Sequence, residues 1–101
     1  MWQSLALHFA ADHPTAAGHF PSNPIIPGAV LLDAVVAAIA GALGHEPVMI
    51  RAVKFLRPVC PGTSLNLRWQ CLSPATVKFE CELAGSGTAV SGLLEINPVP
   101  A

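Results

Sequence analysis

The spacing of apolar residues changes character several times along the chain, and each change predicts a different element. The opening stretch "WQSLALHF" alternates weakly between apolar and polar positions and predicts a first strand ending near Ala10. Next comes "AADHPTAAGHFPSNPIIPG", dense in Pro, Gly, Ser and Asn. Prolines at 21, 24 and 27 exclude regular helix or ladder pairing there, so the stretch reads as a long irregular loop. Its apolar Phe20, Ile25 and Ile26 favour an ordered, packed loop, and loops of this length are commonly functional.

From Pro27 to about Leu43 the sequence turns helical, with proline in the first turn, good helix formers behind it and Gly44 as the stop. Val30, Leu31, Leu32, Val35, Val36 and Ile39 fall all round the cylinder, the pattern of a helix wrapped by protein on nearly every side. Beyond Gly44 the pattern becomes that of short strands: "VMIRAVKFLRPV", "TSLNLRWQCLS", "ATVKFECELAG" and "TAVSGLLEIN", divided by "CPGT", "SP" and "GSG". One helix and about five antiparallel strands predict an α+β fold in a single domain spanning 1–101. A curved sheet wrapped around one central helix is the hotdog architecture.

Composition extends this picture beyond one chain. Hydrophobic residues make up 52% of the sequence and charged residues 11%, so apolar surface is left over for a partner subunit, and a dimer or larger homo-oligomer is expected. Five Lys and Arg with a net charge of −1 are too few to neutralise a run of phosphates, which argues against nucleic acid as a ligand. Cys60, Cys71 and Cys81 form no CxxC pair and have no histidine at metal-ligand spacing. They read as reduced core thiols of a cytoplasmic protein. The start lacks the basic and long apolar regions of an export signal, and Pro27, Gly28 and Asp33 interrupt the one run long enough to approach a membrane span. His8, His13 and His45 have no metal-like spacing, and Trp2, Trp69 and Phe79 read as core or dimer contacts.

Asp33 is the one charged residue between His19 and Leu43. A carboxylate in the most apolar part of a chain costs several kcal/mol unless it is paired or protonated, so burial of Asp33 would need an offsetting role. The alternative is an acid reaching the surface near a helix N-terminus, where negative charge is favoured. His19, in the loop, by itself fits plain solvent exposure better than chemistry, since a lone loop histidine is more often exposed than catalytic.

The segment "HFPSNPIIPGAVLLDAV" resembles the signature of the bacterial β-hydroxyacyl-acyl-carrier-protein dehydratases. Their His-Phe opening, Pro-x-x-Pro-Gly turn and acid fourteen residues after the histidine correspond to His19-Phe20, Pro24 to Gly28 and Asp33. "VKFLRPVCPGTSL", from Val53 to Leu65, is similar to the strand and turn that follow the helix in that family. The resemblance is close from Gly18 to Leu65 and looser beyond. It implies a hotdog homodimer in which His19 of one subunit is the base that removes the proton beside the thioester carbonyl. Asp33 of the other subunit is implied as the acid that helps the β-hydroxyl leave. An acid held out of water favours its protonated form, which that role needs.

By the same resemblance, Gly28 offers its backbone N–H to the thioester oxygen, the carbonyl of Ile25 orients His19, and Phe20 and Pro27 line the substrate site. A strained peptide near His19-Phe20, cis in relatives, is also implied. No metal or redox cofactor is implied, because syn elimination by a base and an acid requires neither. Two positions depart from the family pattern: Ser22 replaces the usual glycine, and Ala37 replaces the usual glutamine one turn after the acid, removing a hydrogen-bond partner. Asp rather than Glu at 33 occurs in a branch of the family that also isomerises the double bond.

Arg51, Lys54 and Arg57, three of five basic residues, either meet the acidic surface of an acyl carrier protein or protect a strand edge with charge. The expected substrate is a carrier-protein or coenzyme A thioester, in a fatty-acid or a more specialised pathway such as polyketide or polyene assembly. A thioesterase on the same fold is one alternative, and a non-catalytic subunit paired with an active paralogue is another.

Overall fold

The computed structural model describes residues 2–9, 25–44 and 47–96. Strand β1 (Gln3–His8) precedes helix α1 (Gly28–Leu43), and strands β2 (Pro47–Phe55), β3 (Ser64–Ser73), β4 (Thr76–Leu83) and β5 (Gly87–Ile96) follow. They form one antiparallel sheet in the order β1-β3-β4-β5-β2, the α+β hotdog arrangement that the apolar pattern predicts. Each predicted strand is present. The second ends at Phe55, short of Val59, because Pro58 cannot donate to a ladder.

Period-2 alternation sets the inner face. Leu65, Leu67 and Trp69 of β3, Val77, Phe79 and Cys81 of β4, and Val90, Leu94 and Ile96 of β5 are all buried. Across them lies α1, whose buried residues Leu31, Val35 and Ile39 recur every four positions. Gly92 lies between Val53 of β2 and Phe79 of β4 in the ladder, and the Phe79 ring occupies the space a side chain at 92 would need.

No side chain caps the start of α1. Pro27 occupies the N-cap position, and the first intrahelical bond runs from Leu31 N to the Pro27 carbonyl at 3.0 Å. Gly44 ends the helix in the left-handed region, with φ of 72°, and its N–H donates to the Ala40 carbonyl. A bond from Ile26 N to the Val59 carbonyl, 2.7 Å long, ties the residue before the N-cap to the segment after β2.

Two expectations need correction. The helix is not enclosed by its own chain: Ala29, Asp33 and Ala37 are exposed, because Asp33 lies about 200° round the helix from Leu31. Its all-round apolarity therefore serves a core on one side and a bare surface on the other. Of the three cysteines only Cys81 is a core thiol. Cys60 is exposed in the turn after β2, and Cys71 is exposed because β1 stops at the register of Trp69, leaving the end of β3 without that neighbour. Trp69 and Phe79 are core residues, whereas Trp2 is partly exposed with the Arg68 guanidinium 4.5 Å from its ring.

Candidate active site

The chain builds an apolar pocket where α1 begins. Ile25, Ile26, Gly28 and Leu31 line one side, and Phe55, Leu56, Arg57 and Pro58 line the other, around a cavity of about 360 Å³. The N–H groups of residues 28 to 30 precede the first intrahelical bond and have no acceptor within the helix. The first turn holds no acidic side chain. Such an uncapped N-terminus, facing an apolar cavity, is suited to an oxygen on which negative charge develops.

Gly28 is tightly covered. A Cβ there would stand 3.1 Å from Cε1 and Cζ of the Phe55 ring. Phe55 ends the edge strand β2 and is itself 52% exposed, so one side of its ring is free while the other closes over the helix start. Sequence reasoning assigned Phe55, Leu56 and Leu31 no role in the site. The signal for the first two was the pair of adjacent large apolar residues in "KFLRPV", just before the proline that ends the strand.

Pro27 takes the helix cap position, and Ile25 and Gly28 stand in the pocket wall. Asp33 lies on the exposed stripe of α1 with Ala29 and Ala37, open in the single chain rather than buried in it. His19, Phe20 and Ser22, and with them the expected strained peptide, lie outside the described residues.

The three-residue basic group is split. Arg57 stands at the pocket wall, its Nε donating to the Ser86 carbonyl at 2.6 Å. Arg51 reaches Glu95, 3.4 Å away, and with Lys54 belongs to the opposite face of the sheet. His8 hydrogen-bonds Ser64 across β1 and β3 at 3.1 Å, and no metal-binding cluster occurs among the described residues. No helix among them is long and apolar enough to cross a membrane.

One helix packed across a five-stranded antiparallel sheet of this order, with an apolar pocket at the helix start, is a hotdog domain. The chain belongs to the ApeI-like family: the family model, described as ApeI dehydratase, matches residues 3–93, well beyond the segment the sequence motifs cover. It is 39% identical to a 3-hydroxyacyl-acyl-carrier-protein dehydratase FabZ of Thermomicrobium roseum, the match taking in 83% of this chain and 68% of that one. For the FabZ of Thermus thermophilus the figures are 33%, 61% and 51%. The chain thus spans about half to two thirds of the length of these relatives.

Among solved structures it resembles the dehydratase heterocomplex ApeI:P of Xenorhabdus doucetiae, with 26% identity, a TM-score of 0.78 and coverage of 94% and 86%. The (R)-hydratase of A. caviae, involved in PHA biosynthesis, shares the fold with a TM-score of 0.75 at 18% identity, over 98% and 95% of the two chains.

Proposed function

We propose that this protein is a cytoplasmic lyase that removes water from a (3R)-3-hydroxyacyl thioester on an acyl carrier protein, giving the trans-2-enoyl thioester. The carrying observation is the placement of Asp33. A lone acid on an outward stripe of alanines, carried by the helix whose first turn lines the apolar pocket, is a half-site that a second subunit would complete.

In the first step the imidazole of His19 takes the proton from the carbon beside the carbonyl. The C–H electrons move toward the thioester, and the oxygen gains charge against the N–H of Gly28. Those electrons then form the new double bond as the bond from the β-carbon to oxygen breaks. Asp33 supplies the proton with which the hydroxyl leaves as water. The proton on His19 returns to the carboxylate through solvent, so atoms and charge balance. Phe20, Ile25 and Pro27 line the acyl path, and the Ile25 carbonyl orients His19. Arg57 is the member of the basic group placed to meet an acidic carrier protein at the pocket wall.

Two features support a homodimer that shares its sites. Strand β2 is an edge of the sheet, and Met49, Ile50, Phe55 and Leu56 along or just beyond it are each about half exposed. A long apolar edge is a template for pairing with another chain. A second reading, pairing with a different hotdog subunit, is favoured by the likeness to one half of the ApeI:P heterocomplex.

The test is the enoyl absorbance of 3-hydroxyacyl thioesters incubated with the purified protein, His19→Ala and Asp33→Asn. Turnover abolished by both changes is expected. Release of free thiol instead of enoyl product would mean thioester hydrolysis, and an inactive homodimer that binds acyl carrier protein would favour the paired-subunit reading.

A further inference from the structure

The sheet face turned away from α1 carries a feature the dehydration reaction does not use. A cavity of about 380 Å³ is lined by Leu72 of β3, Lys78 of β4, Ser91 and Leu93 of β5, and Ala52 and Lys54 of β2, among others. Leu72 is 54% exposed, a large apolar side chain left bare at one end of this groove.

Charge on this face is unevenly satisfied. Arg51 pairs with Glu95, and Arg68 pairs with Glu80 and Glu82, at 3.1–3.4 Å. All three carboxylates of the face are thereby engaged. Lys54 and Lys78 have no ion pair among the described residues, and both border the groove.

The ladder fixes their spacing. Lys54 is opposite Ser91 and Lys78 is opposite Leu93, so the two lysines flank β5 from either side, two residues out of step along it, with Ser91 and Leu93 between them. Two strand spacings across and two residues along put their backbones about 12 Å apart. Seven residues of an α-helix rise about 10.5 Å, a span that the long lysine and glutamate side chains extend to match.

We propose that this groove binds a short acidic amphipathic helix of a partner protein. Carboxylates at positions i and i+7 of that helix meet Lys54 and Lys78, apolar side chains at i+3 and i+4 rest on Leu93 and Ala52, and Leu72, on β3 beyond Lys78, takes an apolar side chain one turn further along. A second copy of this chain is the wrong occupant, because a two-fold through the groove would set its lysines against one another. The surface stands independently of the dehydratase reading, since it lies on the far side of the sheet from the pocket.

The probe is a fluorescein-labelled synthetic helical peptide with glutamates at i and i+7 and leucines at i+3 and i+4, read by fluorescence anisotropy against the full chain. Saturable binding that weakens with salt is expected, with about a tenfold loss of affinity in Lys78→Glu and in Leu93→Ser. A peptide with lysine in place of the glutamate at i+7 alone should recover binding to Lys78→Glu, a result that loss of folding cannot produce. Thermal unfolding of each variant and its thioester turnover should match wild type. Equal affinity of both variants for the peptide would overturn the proposal. So would equal binding of polyglutamate, or association with anionic phospholipid vesicles and not with the peptide.

Discussion

The Phe55 ring lies directly over Gly28, so close that a Cβ on residue 28 would stand 3.1 Å from two of its carbons. A strand end and a helix start are thereby held together across the pocket. Because Phe55 is half exposed, its ring can move by the few tenths of an ångström that an added methyl demands. Alanine also favours helix by up to about 1 kcal/mol over glycine. Gly28→Ala is therefore expected to leave the unfolding free energy within about 1 kcal/mol of wild type. The methyl would still stand where the thioester oxygen must approach the backbone, so kcat/KM should fall about a hundredfold, as when an oxyanion donor is lost. Denaturation and enoyl absorbance measured on one preparation separate the two effects.

Gly92 makes the opposite prediction. A Cβ there would meet Cε2 and Cζ of Phe79 at 2.8 Å and would press on the carbonyl oxygen of Ala52. Phe79 is fully buried and the carbonyl belongs to the ladder, so neither can yield cheaply. Gly92→Ala should destabilise the fold by about 3 kcal/mol, read from the urea midpoint. Phe79→Leu in the same chain should return part of that loss, because it removes one of the two obstructions.

Cys81 gives a pH dependence with a definite sign. Burial pushes its thiol from 9.0 up to about 12. Between these values the unfolded chain loses the proton and the folded chain keeps it, so ionisation favours unfolding. Stability from this group is complete below pH 9 and falls by about 1.4 kcal/mol per pH unit above it, until the folded thiol ionises near 12. Cys81→Ala should flatten that slope in alkaline unfolding curves. In the native protein at neutral pH, a thiol reagent should label Cys60 and Cys71 and spare Cys81 until denaturant is added.

The strands and the helix were legible because alternation and helical periodicity are local: Val77, Phe79 and Cys81 declare an inner face whatever lies opposite. The N-terminal half of the site was legible for a related reason, since Pro27 and Gly28 have a fixed meaning at a helix start. The burial of Asp33 stayed open in the sequence because apolar residues around a helix do not say whose surface covers them. Leu31, Val35 and Ile39 turn to the chain's own sheet, and the stripe of Ala29, Asp33 and Ala37 does not. Phe55 escaped notice because its role depends on a contact with a residue twenty-seven positions away, which no local period encodes. The basic group misled in the same way, as neighbours in sequence on β2 and beyond it were turned to different faces.

The exposed position of Asp33 makes the shared site directly testable. If each site takes His19 from one subunit and Asp33 from the other, neither His19→Ala nor Asp33→Asn homodimers can work alone. A mixed dimer restores one complete site of two, since one of its two histidine–aspartate pairings is intact. Random exchange makes half the dimers mixed, so an equimolar mixture of two inactive proteins should recover about a quarter of wild-type activity. The recovery should track subunit exchange and be absent if the mixture is assayed before exchange occurs. Asp33→Asn should unfold with the wild-type midpoint at concentrations where the protein is monomeric, because the side chain is exposed and lies off the buried face of its helix. Sites contained within one subunit would give no recovery at any mixing time, and that result would put His19 and Asp33 of the same chain in one site and overturn the shared arrangement.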